Sequence, residues 1–253
     1  MTMDVEEQIR NRGLHLEEVV PNASELAETD QHAFAMLRRV GLGASDSSVI
    51  LGVNLYTKLD ELIQQKRSTE VTEEERKVGE LENVRKGRDL EPIILNYFAK
   101  QFGVEVHKPK PMYRLTDVPC LTVNFDGVFE LNDELIPVEA KFVSKYAKKY
   151  WRRPLRVTSL QDAIIRMRTI EVQYHTKIEE HIRLCAEDCG IPPYYYTQVQ
   201  QQLLALNAPF GYLTSLWDAG WESNTFLIPR DLITQHALVT RAEHVWKQIK
   251  GQV

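Results

Sequence analysis

Hydrophobic and polar positions along this 253-residue chain follow a helical period in its first and last parts and a strand-like period between them. Residues 29–66 divide into three predicted helices at glycine-containing turns. Apolar residues three and four apart predict a longer helix over 78–102, kinked or restarted at Pro92. The acidic stretch 70–77 is predicted to be a loop.

From 104 to 141 the pattern changes to short runs rich in Val, Leu and Phe, which predicts an antiparallel meander. The elements predicted after it are a helical stretch over 143–189, a helix over 193–207, strands over 210–217 and 223–228, and a helix over 231–250. This order predicts an α/β fold of the α+β type, with a mixed central β-sheet flanked by helices.

The chain is predicted to be a single domain over 29–253, preceded by an N-terminal arm over 1–28 that is polar and weakly periodic. No apolar run approaches the roughly 20 residues of a membrane span, and the N-terminus lacks the order of a signal peptide. Three cysteines without a CxxC pair are expected to be free thiols in a reducing compartment. We therefore expect a soluble, intracellular protein without a membrane partner.

The charge distribution is uneven. A formal net charge of −5 argues against indiscriminate binding of nucleic acid. The run KFVSKYAKKYWRRPLR at 141–156 is nevertheless strongly basic and has no acidic residue. It is either a solvated helix face or a surface that contacts a polyanion, and its place directly after the charged strand described next favours DNA contact.

The segment NFDGVFELNDELIPVEAKF predicts a hairpin that carries Asp126, Glu139 and Lys141. Because side chains alternate along a strand, Glu139 and Lys141 project together while Ala140 turns toward the core. Two carboxylates and an ammonium beside apolar strands are costly to desolvate without a compensating ion, so they indicate a site.

Hydrolysis of a phosphodiester is chemistry that fits these residues. It needs neutralised phosphate charge and a nucleophilic water, both of which Mg²⁺ supplies, and Mn²⁺ is expected to be able to substitute. Asp126 and Glu139 are the predicted ligands, with the backbone carbonyl of Ala140 as a third. Lys141 is predicted to orient the attacking water or to help lower its pKa.

The D…ExK signature formed by Asp126, Glu139 and Lys141 resembles that of the PD-(D/E)XK nuclease superfamily. Further blocks resemble the YqaJ-type viral recombinase family, which includes lambda exonuclease. The blocks are RRVGLGASDSSVILG at 38–52, GRDLEPIILNYFAKQFGVEV at 87–106, NFDGVFE at 124–130, VEAKF at 138–142 and YYYTQVQQQLLAL at 194–206. The resemblance implies a restriction-endonuclease-like core and a single nuclease domain.

Further site residues follow from the resemblance alone. Glu91 matches a helical acid that contributes to the metal site, and Gln198 matches a helical glutamine that contacts the lysine, water or phosphate. Arg38 and Ser45 match positions that hold a terminal 5′-phosphate in exonuclease members, and both are chemically suited to it. The alternatives are solvated helix positions for Glu91 and Gln198, a surface charge for Arg38 and a helix cap for Ser45.

The connection between Lys141 and Gln198 departs from the family pattern, because it is much longer than compact members need. We predict a helical insertion over about 146–190 that packs on the core or on another subunit. The resemblance to lambda exonuclease implies a ring-shaped homotrimer.

The resemblance implies a magnesium-dependent deoxyribonuclease, a 5′→3′ exonuclease on duplex DNA in phage or viral recombination. The alternatives are an endonuclease with the same core, or a noncatalytic DNA-end binder. The expected partners are DNA, a single-strand annealing protein and further copies of the chain. The expected location is a bacterial or host-cell cytoplasm, or the nucleus for a eukaryotic virus.

Overall fold

The computed structural model describes residues 5–12, 16–152, 177–218 and 220–252. The helices in these ranges are α1 (Val5–Arg12), α2 (Ala23–Thr29), α3 (Gln31–Leu37), α4 (Ser47–Ile50), α5 (Leu59–Arg67), α6 (Glu73–Glu80), α7 (Glu82–Phe102), α8 (Ile178–Cys189), α9 (Pro193–Leu206) and α10 (Leu232–Ile249). The strands are β1 (Leu16–Val20), β2 (Met112–Leu115), β3 (Thr122–Val123), β4 (Gly127–Leu131), β5 (Glu134–Val143), β6 (Phe210–Trp217) and β7 (Glu222–Pro229).

The strands form two sheets. The smaller has the order β1-β2-β3 and is antiparallel throughout. The larger has the order β4-β5-β6-β7, with β5 and β6 parallel and both outer pairs antiparallel. Because β5 is hydrogen-bonded on both of its edges, it is a rigid support for side chains. The predicted mixed sheet with flanking helices is confirmed.

Helix α7 packs on the larger sheet through a cluster of aromatic side chains from α7, β4 and β6. The Phe98 ring lies 4.5 Å from Phe102, 5.7 Å from Phe129 and 5.2 Å from Tyr212, measured between centroids. Phe98, Phe129 and Tyr212 are fully buried. Rings at these separations stabilise the packing beyond the area they bury, so the helix is held firmly against the sheet.

The prediction of a loop over 70–77 is wrong, because helix α6 includes most of these residues. Thr72 Oγ1 accepts a hydrogen bond from Glu75 N at 3.2 Å, and Glu75 Oε2 accepts one from Thr72 N at 2.7 Å. This reciprocal capping starts the helix despite its crowded negative charge. The helical stretch after it breaks at Leu81, and α7 continues through Pro92.

The predicted single meander is also wrong. Strand β3 has only two residues, and the chain leaves the smaller sheet at Asn124 before β4 begins the larger one. The predicted strand over 104–107 is reduced to a bridge between His107 and Val128. The strands and helices predicted beyond residue 190 are confirmed within a few residues.

The N-terminal region packs on the rest of the chain. Strand β1 pairs with β2, and Ile9 of α1 has no exposed surface. The described part of the predicted arm over 1–28 is therefore built into the fold. The domain boundary and the single domain over 29–253 stay predictions.

The basic run after β5 forms a single 3-10 turn at Lys148–Tyr150, not the start of a continuous helix. Within the predicted insertion over 146–190, residues 153–176 lie outside the described residues. Helix α8 follows and buries Ile182 completely. Among the helices described here, none has the length and apolar character needed to cross a membrane.

Candidate active site

Asp126, Glu139 and Lys141 meet at the centre of the larger sheet. Glu139 and Lys141 lie two residues apart on β5, and Asp126 directly precedes β4. The Lys141 ammonium forms an ion pair with Glu139 Oε1 and lies 3.9 Å from Asp126 Oδ2. The N–H of Ala140 donates to Asp126 Oδ2 at 2.9 Å. Strand alternation brings Glu139 and Lys141 together, as the sequence predicts, and the hydrogen bond to Ala140 holds Asp126 beside them.

Gly127 lets the backbone that follows Asp126 pack closely against Val106. A Cβ atom at this position would lie 2.6 Å from Val106 Cγ1, closer than carbon atoms can pack. The backbone that follows Asp126 can therefore pass beside Val106 only without a side chain.

Two glutamines of α9 hold the carboxylate of Glu139. Gln198 Nε2 donates to Glu139 Oε1, and Gln202 Nε2 donates to Glu139 Oε2 at 2.6 Å. Gln198 was expected from the sequence, whereas Gln202 was missed. Its spacing of four residues from Gln198 was the available signal, because it puts both amides on one helix face.

The pKa values of the site reflect its crowded charge. Burial and repulsion by the Asp126 carboxylate raise the pKa of Glu139 to about 7. Burial alone would lower the pKa of Lys141, but the carboxylates of Glu139 and Asp126 raise it above its ordinary value. Lys141 is therefore a protonated ammonium at neutral pH.

A cavity of about 340 Å³ connects this charged centre with the other predicted site residues. Glu91 lines it, and the Glu91 carboxylate forms an ion pair with Lys108, with 3.1 Å between Lys108 Nζ and Glu91 Oε1. Burial and the Asp126 carboxylate raise the pKa of Glu91. The predicted residues that share the cavity lining are Arg38, Ser45, Glu91, Asp126, Glu139, Lys141 and Gln198.

Arg38 and Ser45 form one unit at the cavity wall. Arg38 Nη2 donates to Ser45 Oγ at 2.6 Å and lies 3.8 Å from Asp46 Oδ1. Asp46 is buried and forms an ion pair of 2.6 Å with Lys66. Burial would raise the pKa of Asp46, but Lys66 and Arg38 lower it below its ordinary value. Asp46 therefore stays charged and fixes the position of the Arg38 guanidinium.

The donor atoms around Glu139 fit a hard divalent cation. Three carboxylates, from Glu91, Asp126 and Glu139, line the same cavity. Within the described ranges, the side-chain oxygens Asn124 Oδ1 and Gln202 Oε1 are buried without a hydrogen-bond donor. Oxygen ligands are those that Mg²⁺ prefers. A metal role for the Ala140 carbonyl stays a prediction.

A second cluster, of His181, Cys185 and Asp231, could offer ligands to a metal by proximity. Asp231 is already engaged, because its Oδ1 accepts from the N–H groups of Ile233 and Thr234 and caps α10. Its Oδ2 accepts from the Tyr196 hydroxyl at 3.0 Å and lies 2.8 Å from His181 Nε2. We interpret this cluster as a buried cap that joins α8, α9 and α10. Cys120, Cys185 and Cys189 are free thiols.

Together, the mixed sheet and the acid-lysine centre on its middle strand define a protein of the PD-(D/E)XK type. The sequence matches the YqaJ-like viral recombinase domain over residues 33–208. The chain belongs to this family, as the motif blocks indicate. None of the curated protein sequences is significantly similar to it.

Solved structures share the fold at low sequence identity. An alkaline exonuclease (LHK-Exo) from Laribacter hongkongensis aligns with a TM-score of 0.52 and 13% identity over 86% of this chain and 92% of that chain. The same exonuclease in complex with dAMP aligns at 0.51 and 14% over the same shares. A phage-related exonuclease from Haemophilus somnus 129PT gives 0.46 and 12% over 86% and 98%. The first two establish a shared fold.

We predict that Gln202→Ala destabilises the protein more above pH 7 than below it. The amide favours the charged form of Glu139, so its loss is felt when that carboxylate is ionised. Above this pKa we expect a loss of about 1–3 kcal/mol in the free energy of unfolding. The measurement is denaturant unfolding between about pH 5.5 and pH 8.5.

Gln201→Ala is the matched control on the same helix. Gln201 Nε2 donates to two neutral groups, Leu42 O at 3.0 Å and Thr122 O at 2.9 Å. Its removal should destabilise the protein equally across the pH range. Equal pH profiles for the two variants would show that Gln202 does not support an ionised Glu139.

Proposed function

We propose that the protein is a magnesium-dependent exonuclease that hydrolyses duplex DNA from 5′ ends in phage-type recombination. The observation that carries the proposal is one cavity lined both by the acid-lysine centre and by the Arg38–Ser45 pair. The first group suits hydrolysis of a phosphodiester, and the second suits binding of a terminal phosphate. Membership of the YqaJ-like family and the fold shared with an alkaline exonuclease support it.

The metal would be held by Asp126, Glu139 and the Ala140 carbonyl, with Glu91 nearby and Mn²⁺ able to substitute. When bound, Mg²⁺ supplies charge neutralisation at the phosphate and lowers the pKa of water. Gln198 and Gln202 keep the Glu139 carboxylate in one orientation. Asp126 is oriented by the N–H of Ala140.

Lys141 acts as a cation and hydrogen-bond donor in this proposal. Its raised pKa keeps the ammonium protonated, so it cannot take a proton from water at neutral pH. It can instead orient the attacking water or stabilise charge that develops on the phosphate oxygens. Gln198 lies close enough to share this task, because both side chains contact Glu139 Oε1.

Two alternatives use the same residues differently. An endonuclease would cleave without an end, and a noncatalytic end binder would use Arg38 and Ser45 but cleave nothing. The Arg38–Ser45 pair favours end recognition over internal cleavage, and the intact acid-lysine centre favours catalysis. A single-strand annealing protein and further copies of the chain are the proposed protein partners.

Loss of the acid-lysine centre should abolish cleavage. We expect Lys141→Ala and Asp126→Ala each to lower the rate of degradation of labelled linear duplex by about 10²-fold or more, with DNA binding retained for Lys141→Ala. Lys100→Ala is the control, because Lys100 is exposed on α7 and does not line the cavity. Unchanged activity in both site variants would place catalysis elsewhere.

The Arg38–Ser45 pair predicts a preference for phosphorylated 5′ ends. Wild-type protein should degrade a 5′-phosphorylated duplex faster than a 5′-hydroxyl duplex, and Arg38→Ala should remove most of that difference. The comparison uses initial rates on both ends with each protein. A preference that survives in Arg38→Ala unchanged would contradict the assignment of this residue.

An exonuclease needs an end. With Mg²⁺, linear DNA should be degraded from its 5′ ends, whereas covalently closed circular DNA should stay intact. A time course on linear, nicked and closed circular forms of one plasmid is the measurement. Cleavage of closed circles would favour the endonuclease alternative.

A further inference from the structure

A row of three tyrosine rings runs from Lys141 toward solvent. Lys141 Nζ lies 5.5 Å from the centroid of the Tyr195 ring. The Tyr195 and Tyr194 centroids are 4.5 Å apart, and those of Tyr194 and Tyr56 are 5.8 Å apart. Tyr194 and Tyr195 are half-buried, and Tyr56 is 69% exposed. This tyrosine row thus begins at the proposed catalytic lysine and ends on the surface.

Both ends of the tyrosine row are anchored. Tyr195 packs on the buried Trp151 with 5.5 Å between ring centroids. At the other end, Asn54 Oδ1 accepts from the N–H groups of Tyr56 and Thr57, each at 2.8 Å. Asn54 Nδ2 in turn donates to Ser48 Oγ at 2.7 Å. The turn that carries Tyr56 is therefore fixed to α4, and the ring is presented from an ordered backbone.

Core packing explains only part of the tyrosine row. It accounts for Trp151 and Tyr195, which contact buried side chains, but it does not account for Tyr56, whose ring is mostly in water. Tyr150 lies near Tyr194 and is 42% exposed. The Lys149 ammonium lies over the Tyr150 ring, with 4.9 Å between Nζ and the ring centroid. Exposed rings beside cations match the surfaces that bind a nucleic-acid strand through its bases and phosphates together.

We propose that the tyrosine row is a stacking site for an unpaired nucleobase, on a nucleotide close to the phosphate that lies at Lys141. The proposal rests on the nuclease function proposed above and adds a base contact to it. A nucleobase is the occupant that suits both ends of the row, since its π-face matches Tyr56 and its own strand supplies a phosphate to Lys141. Stacking of this kind tolerates any base sequence, which suits an enzyme that digests along a strand.

The test combines a protein change with a DNA change. The probe is a 5′-phosphorylated duplex in which an abasic residue replaces the first, second or third nucleotide of the 5′ strand. Affinities are measured by fluorescence anisotropy with Ca²⁺ in place of Mg²⁺. Tyr56→Ala should weaken binding of intact DNA roughly fivefold or more, whereas Tyr56→Phe, which keeps the ring, should stay within about twofold.

At one abasic position, the losses of binding free energy caused by Tyr56→Ala and by the missing base should not be additive. There, loss of the base should weaken binding by wild type but cause little further loss in Tyr56→Ala, which is the signature of a direct interaction. Tyr97→Ala is the matched control, because Tyr97 is 57% exposed, lies on α7 and is not part of the tyrosine row. It should bind every probe like wild type. Tyr56→Ala should unfold at the wild-type temperature, because its ring is exposed.

Additive losses at all three positions, or equal weakening by Tyr56→Phe and Tyr56→Ala, would overturn the stacking site. If wild type still degrades linear DNA in that case, the nuclease function stands and only the stacking site fails. A wild-type protein that neither binds nor degrades DNA ends would overturn both.

Discussion

The arrangement of the site depends on one buried carboxylate, that of Glu139, which is 1% exposed on the central strand. A carboxylate out of water is tolerated only with donors to its oxygens. Lys141, Gln198 and Gln202 supply them, from β5 itself and from α9. Because burial and repulsion from Asp126 still raise the pKa of Glu139, the site keeps unfavourable negative charge. That is the condition under which a divalent cation or a protonated lysine stabilises the folded protein.

Helix α9 connects this centre to the rest of the cavity through consecutive glutamines. Gln202 holds Glu139, whereas Gln201 donates to the carbonyls of Leu42 and Thr122. Leu42 follows Arg38 closely, so the same helix sets the distance between the acid-lysine centre and the proposed phosphate-binding pair. On its far side, Gln200 accepts from the N–H of Asp231 and donates to the Pro229 carbonyl. One helix thus orients both halves of the proposed active site and the cap of α10.

Local signals in the sequence were sufficient for much of the fold and for the centre of the site. Alternation along β5 predicts that Glu139 and Lys141 meet, and helical spacing predicts α9 and α10. The parallel pairing of β5 with β6 could not be predicted, because it joins strands separated by a long connection. The division into two sheets was missed because LTVNFDGVFE has the composition of a single strand.

The site residues likewise divide into those that local sequence signals predict and those whose contacts form only in the folded protein. The ion pair of Asp46 with Lys66 could not be predicted, because Lys66 belongs to another helix and the pair exists only after folding. Lys108 likewise meets Glu91 only through tertiary packing. Gln202 differs from both, since its spacing from Gln198 was visible in the sequence. What was missing there was the knowledge that the facing carboxylate is buried and needs a second donor.

The overall negative charge of the chain is compatible with a DNA substrate, because binding depends on the field near the site. Charges separated by more than about 8 Å of physiological solution are largely screened. Acidic residues farther than this from the cavity therefore count for little at a phosphate inside it. There the cations Arg38, Arg88, Lys108, Lys110 and Lys141 share the lining with three carboxylates. These five cations outnumber the three carboxylates, so the lining is net positive and attracts phosphate, and a bound divalent cation would add to that attraction.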